Sequence, residues 1–525
     1  MCSAKDGFKE AEENFTKMVE KYKSPSALWL NAVETEIGLD ARDLTRKILQ
    51  GHVETRGDGD VGPVLTTMDG VILSHKRMFK KTMRTLFGEI CITRVGYSLR
   101  GHANLFPLDA LLNLPLSSYS YGLQRFIARR VSMSAFSEVL DLTREVTGVV
   151  IGPRQAIEIV ENCAIDFDAY YAKLKTSAAP DVSSDSNELE SNTQPLSIPN
   201  TSVASKVLSV TEDVVAPVLV LTTDGKGIVM RHESLRPETQ KRASESKQKM
   251  KTRLAKGEKT NRKRMAQVAS VYFIDRFIRT PSDIVDELKR ENIQLKRPVP
   301  HDKRVWASVE KSAEEVIQAM FTEANSRDPQ HKQEWVILVD GNKHQVGLVK
   351  SLSKKMSVNT VIILDVIHVI EYLWDAARVF VDEKNHIGCE EWVADKLERI
   401  LNGEAGKVAG SIRMSAAKRQ LTEAKHKTAK DCARYIANQK PYMNYVKYLK
   451  LGYPIATGVI EGACRYLIKD RMDITGARWT LLGAEAVLKL RSIVTSGDFD
   501  NYWDFHLQCE HGRNYGQIKM SEIRS

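Results

Sequence analysis

Two hydrophobic periods take turns along this chain, and the places where one gives way to the other mark its predicted elements. Residues 1 to about 50 put Phe8, Phe15, Met18, Val19 and Tyr22 near helical spacing, which predicts helix. A glycine-rich break, GDGDVGP at 57–63, ends that pattern, and GEICITRVGY then alternates apolar and polar positions as a half-buried strand does. From about Pro107 the helical period returns through LDALLNLP and YGLQRFIARR. Residues 134–164, SAFSEVLDLTREVTGVVIGPRQAIEIVENCA, predict a helix capped by Ser134, a turn at Thr147-Gly148 and a second helix opened by Pro153. Helix, glycine turn, helix is the helix-turn-helix pattern, whose second helix enters the major groove and would put Arg154 and Gln155 at its reading end. An αα-hairpin packed in a helical domain has the same pattern, and the sequence leaves both open.

The second half changes period more often. VLVLTTDG and EWVILVDG are apolar, β-branched runs of strand length that end at Asp224 and Asp340, and NTVIIL (359–364) is a third. GIVM and MAQVASVYFI predict two further strands of the same sheet. GNKHQVGLVKSLSKK predicts the helix between the second acid and the third run. After it, Val366, Val369, Ile370, Leu373, Ala377 and Phe380 recur at helical spacing, and residues 365 to about 455 stay helical and charged. Glu461 stands on a further predicted helix within GVIEGACRYLIKDRMDITGARW. The order predicts an α/β fold: a ribonuclease-H-like mixed sheet interrupted by an all-helical insertion and preceded by a mainly helical DNA-binding region. The expected division is 1–105 (helical, with a short β unit), 106–175 (helix-turn-helix-like), 176–212 (linker), 213–364 (first part of the catalytic domain), 365–455 (insertion), 456–495 (helix of the last acid) and 496–525 (tail).

Composition narrows the class. A formal net charge of +10 and a pI near 9.0 favour a polyanionic partner. The basic stretch 231–264 holds 13 Lys/Arg, among them Arg262, Lys263 and Arg264, against 4 Glu, a local excess of +9. Lying between two predicted strands, it suits a phosphate-gripping loop. Residues 176–212, rich in Ser, Asn and Pro, carry too few large apolar side chains to order themselves, hence the linker. Seven scattered cysteines without a C-x-x-C pair point to a reducing, cytosolic compartment and away from a disulfide framework or zinc ribbon. Neither a leader pattern nor a run of about 20 apolar residues is present, so no membrane association is expected.

Candidate chemistry centres on Asp224, Asp340 and Glu461. Carboxylate oxygens are hard ligands that suit Mg²⁺, and two such ions about 4 Å apart can assist an in-line displacement at phosphorus. Asp-Gly after a strand is also the commonest of turns. Asp365 ends an apolar strand too, but it follows the helix and strand that such a sheet needs before its insertion, which favours Asp340 as the second acid. His368 lies one turn beyond Asp365, where it supports the site or is simply satisfied locally. Arg465 and Lys469, one and two turns past Glu461, could hold phosphate or be solvated charges. Trp479 is a core residue or a base-stacking one. His506, Cys509 and His511 have zinc-like donors at a spacing too cramped for a site.

Taken together, GHANLFPLDALLNLPLSSYSYGLQRFIARR, the Asp224-Gly225 strand, RKRMAQVASVYFIDRFIRTP, WVILVDG, LDVIHVIEYLWDAA, GVIEGACRYLIKDRMDITGARW and YWDFHLQCEH resemble the DDE transposases of bacterial insertion sequences, specifically the ISKra group, distantly similar to Mutator-like transposases. The resemblance runs from about residue 85 to 511. It implies that Asp224, Asp340 and Glu461 bind two Mg²⁺ ions, with Mn²⁺ able to substitute. It also implies that Asp365-x-x-His368 is an accessory signature. The expected activity is cleavage and strand transfer of double-stranded DNA at the element's terminal inverted repeats and at target DNA. A homodimer or larger homo-oligomer working in the bacterial cytoplasm at the nucleoid is the expected setting. A transposase-derived nuclease and a catalytically idle DNA-binding protein are the alternatives.

Overall fold

The computed structural model describes residues 7–23, 28–177, 216–245, 262–289, 296–382 and 384–519. Most of the expected linker and the centre of the basic stretch lie outside them. The N-terminal pattern resolves into two helices, Gly7–Lys23 and Leu30–Glu54. Two short ladders follow: β1 (Leu65–Thr66) with β2 (Ile72–Leu73), and the hairpin of β3 (His75–Thr85) with β4 (Gly88–Ser98). The central sheet contains β5 (Val218–Val229), β6 (Lys263–Ile274), β7 (His301–Ser308), β8 (Trp335–Val339) and β9 (Thr360–Leu364) in the spatial order β7-β6-β5-β8-β9. β5 pairs antiparallel with β6 and parallel with β8; β6–β7 is antiparallel and β8–β9 parallel. The fold is therefore mixed α/β around a mixed sheet. Among the described residues no helix is long and apolar enough to cross a membrane.

Alternation along the strands separates two cores. Leu219, Leu221, Trp335, Ile337 and Val339 face one core, shared with the helices of 121–177 and 313–355 and those after Glu461. Val218, Val220, Val336, Leu338 and Ile363 face the other, built with the helices of 366–455. Burial on both faces is why β8 reads as an unbroken apolar run. The free edge of β7 is covered by the Leu481–Ser496 helix, whose side chains supply its missing partners. Ser496 and Ser492 accept from the Val305 and Ala307 N–H groups at 3.2 and 3.3 Å, and Glu485 accepts from Val309 N–H at 2.8 Å.

Two local expectations are corrected. Asp224-Gly225 is not a turn: β5 runs on through it to Val229, taking in the GIV of the expected GIVM strand, because Gly225 stays extended and pairs with Gln267. Asp340-Gly341 is a turn, with Gly341 at φ +89° and Asp340 Oδ1 accepting from Asn342 N–H at 2.7 Å. The helix expected from Ser134 begins at Phe136 with Ala135 as its cap; Ser134 N–H still bonds to Arg130 O at 2.9 Å, closing the preceding helix. The rest of that hairpin follows the expectation, with Gly148 left-handed at φ +73° and Pro153 in the first helical position.

Asp166 ties the middle of the chain to the Phe499–Tyr515 helix. Arg513 grips it with two bonds of 2.7 Å, and His506 Nδ1 lies 2.7 Å from its Oδ2. Burial raises its pKa, but the Arg513 and His506 contacts outweigh that and hold it at about 2. With the folded value below the unfolded one, its stabilisation is complete above about pH 4 and is lost as pH falls towards 2. Asp166→Asn should therefore cost about 2 kcal/mol near neutral pH. In denaturant melts the gap from wild type should close between pH 4 and 2; a gap independent of pH would mean the loss is one of packing.

Candidate active site

The sheet register brings three aspartates into one row. Thr222 pairs with Leu338 and Leu338 with Ile363, so two residues further on Asp224, Asp340 and Asp365 stand side by side on one face. Neighbouring strands are about 4.8 Å apart, which fixes the spacing of their backbones. Their environments differ. Asp365 is fully buried and both oxygens are engaged: Oδ1 caps the Val366–Phe380 helix through Ile367 N–H at 2.8 Å, and Oδ2 accepts from the Thr457 hydroxyl. Burial pushes its pKa up, opposed by those donors. Asp340 is half-buried and opens into a cleft of about 360 Å³ with His368, Glu371, Asp375 and the stacked rings of Tyr372 and Tyr435.

The insertion is tied shut at its base. Val366 N–H bonds to Ile455 O at 2.9 Å beside the Asp365–Thr457 contact, so the chain returns where it left. Helices of the insertion brace the strand ends from above. Tyr435 donates to Asp340 O at 2.8 Å, Gln439 to Gly341 O at 2.7 Å and Tyr445 to Leu364 O at 2.9 Å. Glu461 follows one turn after Thr457, its N–H bonded to Thr457 O at 3.0 Å, on the helix Gly458–Ala463. Burial raises its pKa, and the charges of Asp365, Glu371 and Asp224 add to the rise against His368. For His368, burial is overcome by Asp365, Glu371 (3.1 Å from Nδ1) and Asp340, and its pKa rises.

Sequence reasoning missed Cys464, Thr457, Tyr435 and Glu371. The Cys464 thiol donates to Asp224 Oδ2 at 3.1 Å, and burial with the Asp224 charge pushes its pKa up, so it stays protonated. From Cys464 to Lys469 the helix takes a π turn, a widened repeat common at functional sites. The spacing that put Arg465 and Lys469 on the face of Glu461 assumed regular α-helix; both are exposed, and Arg465 lies 3.6 Å from Asp470.

The other expected residues lie farther off. Lys263 pairs with Val229, five residues from Asp224, or about 17 Å along the strand. Lys263 is exposed, whereas Arg264 Nε is held by Val309 O at 2.9 Å and Arg262 is half-buried. Arg154 is exposed and paired with Glu158 at 3.2 Å, while Gln155 Oε1 accepts from Gly152 N–H at 3.0 Å as a cap. Of its two readings Trp479 takes the core one: it is 8% exposed, its indole N–H bonds to Met472 O at 2.9 Å, and Arg471 and Phe136 pack on its ring. Base stacking on its faces is not available. His506 is spent on Asp166, and His511 lies 3.2 Å from Ala110 O.

Among the described residues no three carboxylate, imidazole or thiol groups stand close enough together to hold a metal as the side chains are placed. The donor chemistry of Asp224, Asp340 and Glu461 nevertheless suits Mg²⁺ or Mn²⁺: hard oxygens, mutual repulsion that a dication relieves, and a neutral thiol beside them. Compared with known proteins, the chain matches no family model, and no curated protein is significantly similar to it.

Two outcomes follow from this geometry. Mn²⁺ or Mg²⁺ at 100 times its Kd should raise stability by about 2.7 kcal/mol, and Asp224→Asn should remove most of that gain in thermal melts. Equal stabilisation of wild type and variant would place the ion elsewhere. Thr457→Val, which leaves a buried Asp365 oxygen unpaired, should cost about 1–3 kcal/mol by denaturant titration; no loss would show that the tie does not hold the insertion.

Proposed function

We propose that this chain is a DNA transposase with a ribonuclease-H-like catalytic domain. The observation that carries the reading is the pair Asp224 and Asp340 on and just past adjacent parallel strands, with Glu461, whose charge interacts with that of Asp224, on the helix that follows a tied helical insertion. The strand order, three antiparallel strands followed by two parallel ones with a helical insertion before the last acid, supports that fold, as does the sequence resemblance to insertion-sequence transposases. Asp224, Asp340 and Glu461 would hold Mg²⁺, or Mn²⁺ in its place, which supplies charge neutralisation and an activated oxygen at a scissile phosphate. Asp365 fixes the helix that carries His368, and His368 with Glu371 lines the cleft beside Asp340. Tyr435 and Gln439 hold the Asp340-Gly341 turn in place.

The substrate that fits is double-stranded DNA: the terminal inverted repeats of an element and a target duplex. The net charge of +10 supports a polyanion, with Arg262, Lys263 and the adjoining basic stretch supplying sequence-independent contacts. Arg154 and Gln155, at the exposed start of the second hairpin helix, would make the base contacts. We place the protein in the bacterial cytoplasm, acting at the nucleoid as a homodimer or larger homo-oligomer.

The test is cleavage of a duplex carrying an element end. Asp224→Asn, Asp340→Asn and Glu461→Gln should each lower Mg²⁺-dependent cleavage and strand joining by at least about 10³-fold with DNA affinity nearly unchanged. Asp365→Asn should instead lower stability first. Normal cleavage by Asp340→Asn with a stable, inactive Asp365→Asn would exchange the roles of the two acids; cleavage without joining would leave a nuclease.

A further inference from the structure

A second cavity, of about 260 Å³, lies between the 136–163 hairpin and the start of the Leu481–Ser496 helix. Its buried charge is that of Arg471, which is 2% exposed. The Arg471 Nε donates to Val131 O at 2.7 Å, but its Nη2 is buried with no hydrogen-bond partner. A buried donor left unpaired marks a place where an acceptor belongs. Arg231 and Arg478 line the same cavity, are exposed, and have no side-chain partner among the described residues. The Phe136–Thr147 helix starts here without a side-chain cap, which adds free N–H groups; Glu138 on that helix offsets part of the charge. Phe136, Ile157 and Trp479 make the remaining wall apolar. The cavity thus asks for an anion joined to a compact, flat, apolar body.

Position narrows the source. Met230 bridges to Trp479, and Arg231 follows Asp224 by seven residues along β5 and its extension, or about 23 Å. On a duplex that distance is about seven base pairs. We infer that this cavity binds one nucleotide, its phosphate on Arg471, Arg231 and Arg478 and its base against Phe136, Ile157 and the Trp479 edge. The nucleotide is one unstacked from DNA held at the acid site. Only this source rests on the transposase reading; the nucleotide chemistry does not.

The experiment uses the full chain and duplexes carrying a fluorescent purine analogue at one position at a time, from about four to ten base pairs from the cleaved end. A several-fold rise in fluorescence at one or two adjacent positions is expected, lost in Ile157→Trp, which fills the cavity. It should be reduced in the Arg478→Gln variant, with end-labelled duplex still bound. The free monophosphate of the same analogue forms the second arm. Saturable binding that Ile157→Trp abolishes, without a signal from duplex, would confirm the nucleotide site and overturn its DNA source. Silence in both arms, with DNA still bound and cut, overturns the proposal while the transposase reading stands. Failure to bind DNA at all sinks that reading, and the free nucleotide then decides the cavity.

Discussion

The Asp365–Thr457 contact is the interaction on which the arrangement of acids depends. Its partners lie 92 residues apart, so it fixes the return of a long helical excursion to the sheet immediately before the helix that carries Glu461. With the Val366–Ile455 backbone bond beside it, the excursion becomes a closed loop whose two ends share one fixed point. Closing so long a loop costs little more than closing a short one, because the entropic penalty grows only with the logarithm of length. A large insertion is therefore compatible with precise return, provided the tie is buried and fully bonded. Asp365 meets both conditions: neither oxygen is left without a donor, and water is excluded.

That burial divides labour among similar side chains. Asp224, Asp340 and Asp365 occupy equivalent places on adjacent strands, yet only the last is sealed and used as a helix cap. The difference comes from what covers each strand end. β9 leads straight into the Val366–Phe380 helix, whose first free N–H groups claim the Asp365 carboxylate. β8 ends in a left-handed glycine turn, which carries the chain away and leaves Asp340 facing a cleft. The insertion then holds that turn through its carbonyls, by Tyr435 and Gln439, without occupying the carboxylate.

Much of this was legible in the sequence because strand length, helical period and the acids fall in a recognisable order. The unbroken apolar runs gave β8 and β9, and the heptad-like spacing after Asp365 gave the insertion's first helix. Asp224-Gly225 misled, since the dipeptide favours turns locally while twelve paired residues of β5 override it. Ser134 misled for a similar reason: a good capping residue was already committed to the end of the preceding helix. Thr457 and Cys464 carried no signal of their own. Their roles arise from contacts 92 and 240 residues away. Trp479 was ambiguous because an indole suits a core and a base equally; its buried N–H bond settles the matter in favour of the core.

The distribution of charge has its own logic. On a chain with ten excess positive charges, the cleft beside Asp340 collects Glu371 and Asp375 as well, and the pKa of Glu461 is raised by burial and then by its acidic neighbours. Repulsion of this kind is costly in a partly buried setting, where effective dielectric is low. His368, whose pKa Asp365, Glu371 and Asp340 raise against the effect of burial, offsets part of it, while Asp224 meets only the neutral Cys464 thiol and Tyr435 bonds the Asp340 backbone carbonyl and leaves its carboxylate free. A lysine or arginine there would have stabilised the acids more, but it would also have satisfied them. A neutral thiol holds the Asp224 carboxylate in position while leaving its charge uncompensated, which is the condition under which a dication would gain most by binding. On the transposase reading proposed above, the basic surface and the acidic cleft would serve successive needs, since phosphate would be drawn by the first and could approach the second only after its charge had been balanced.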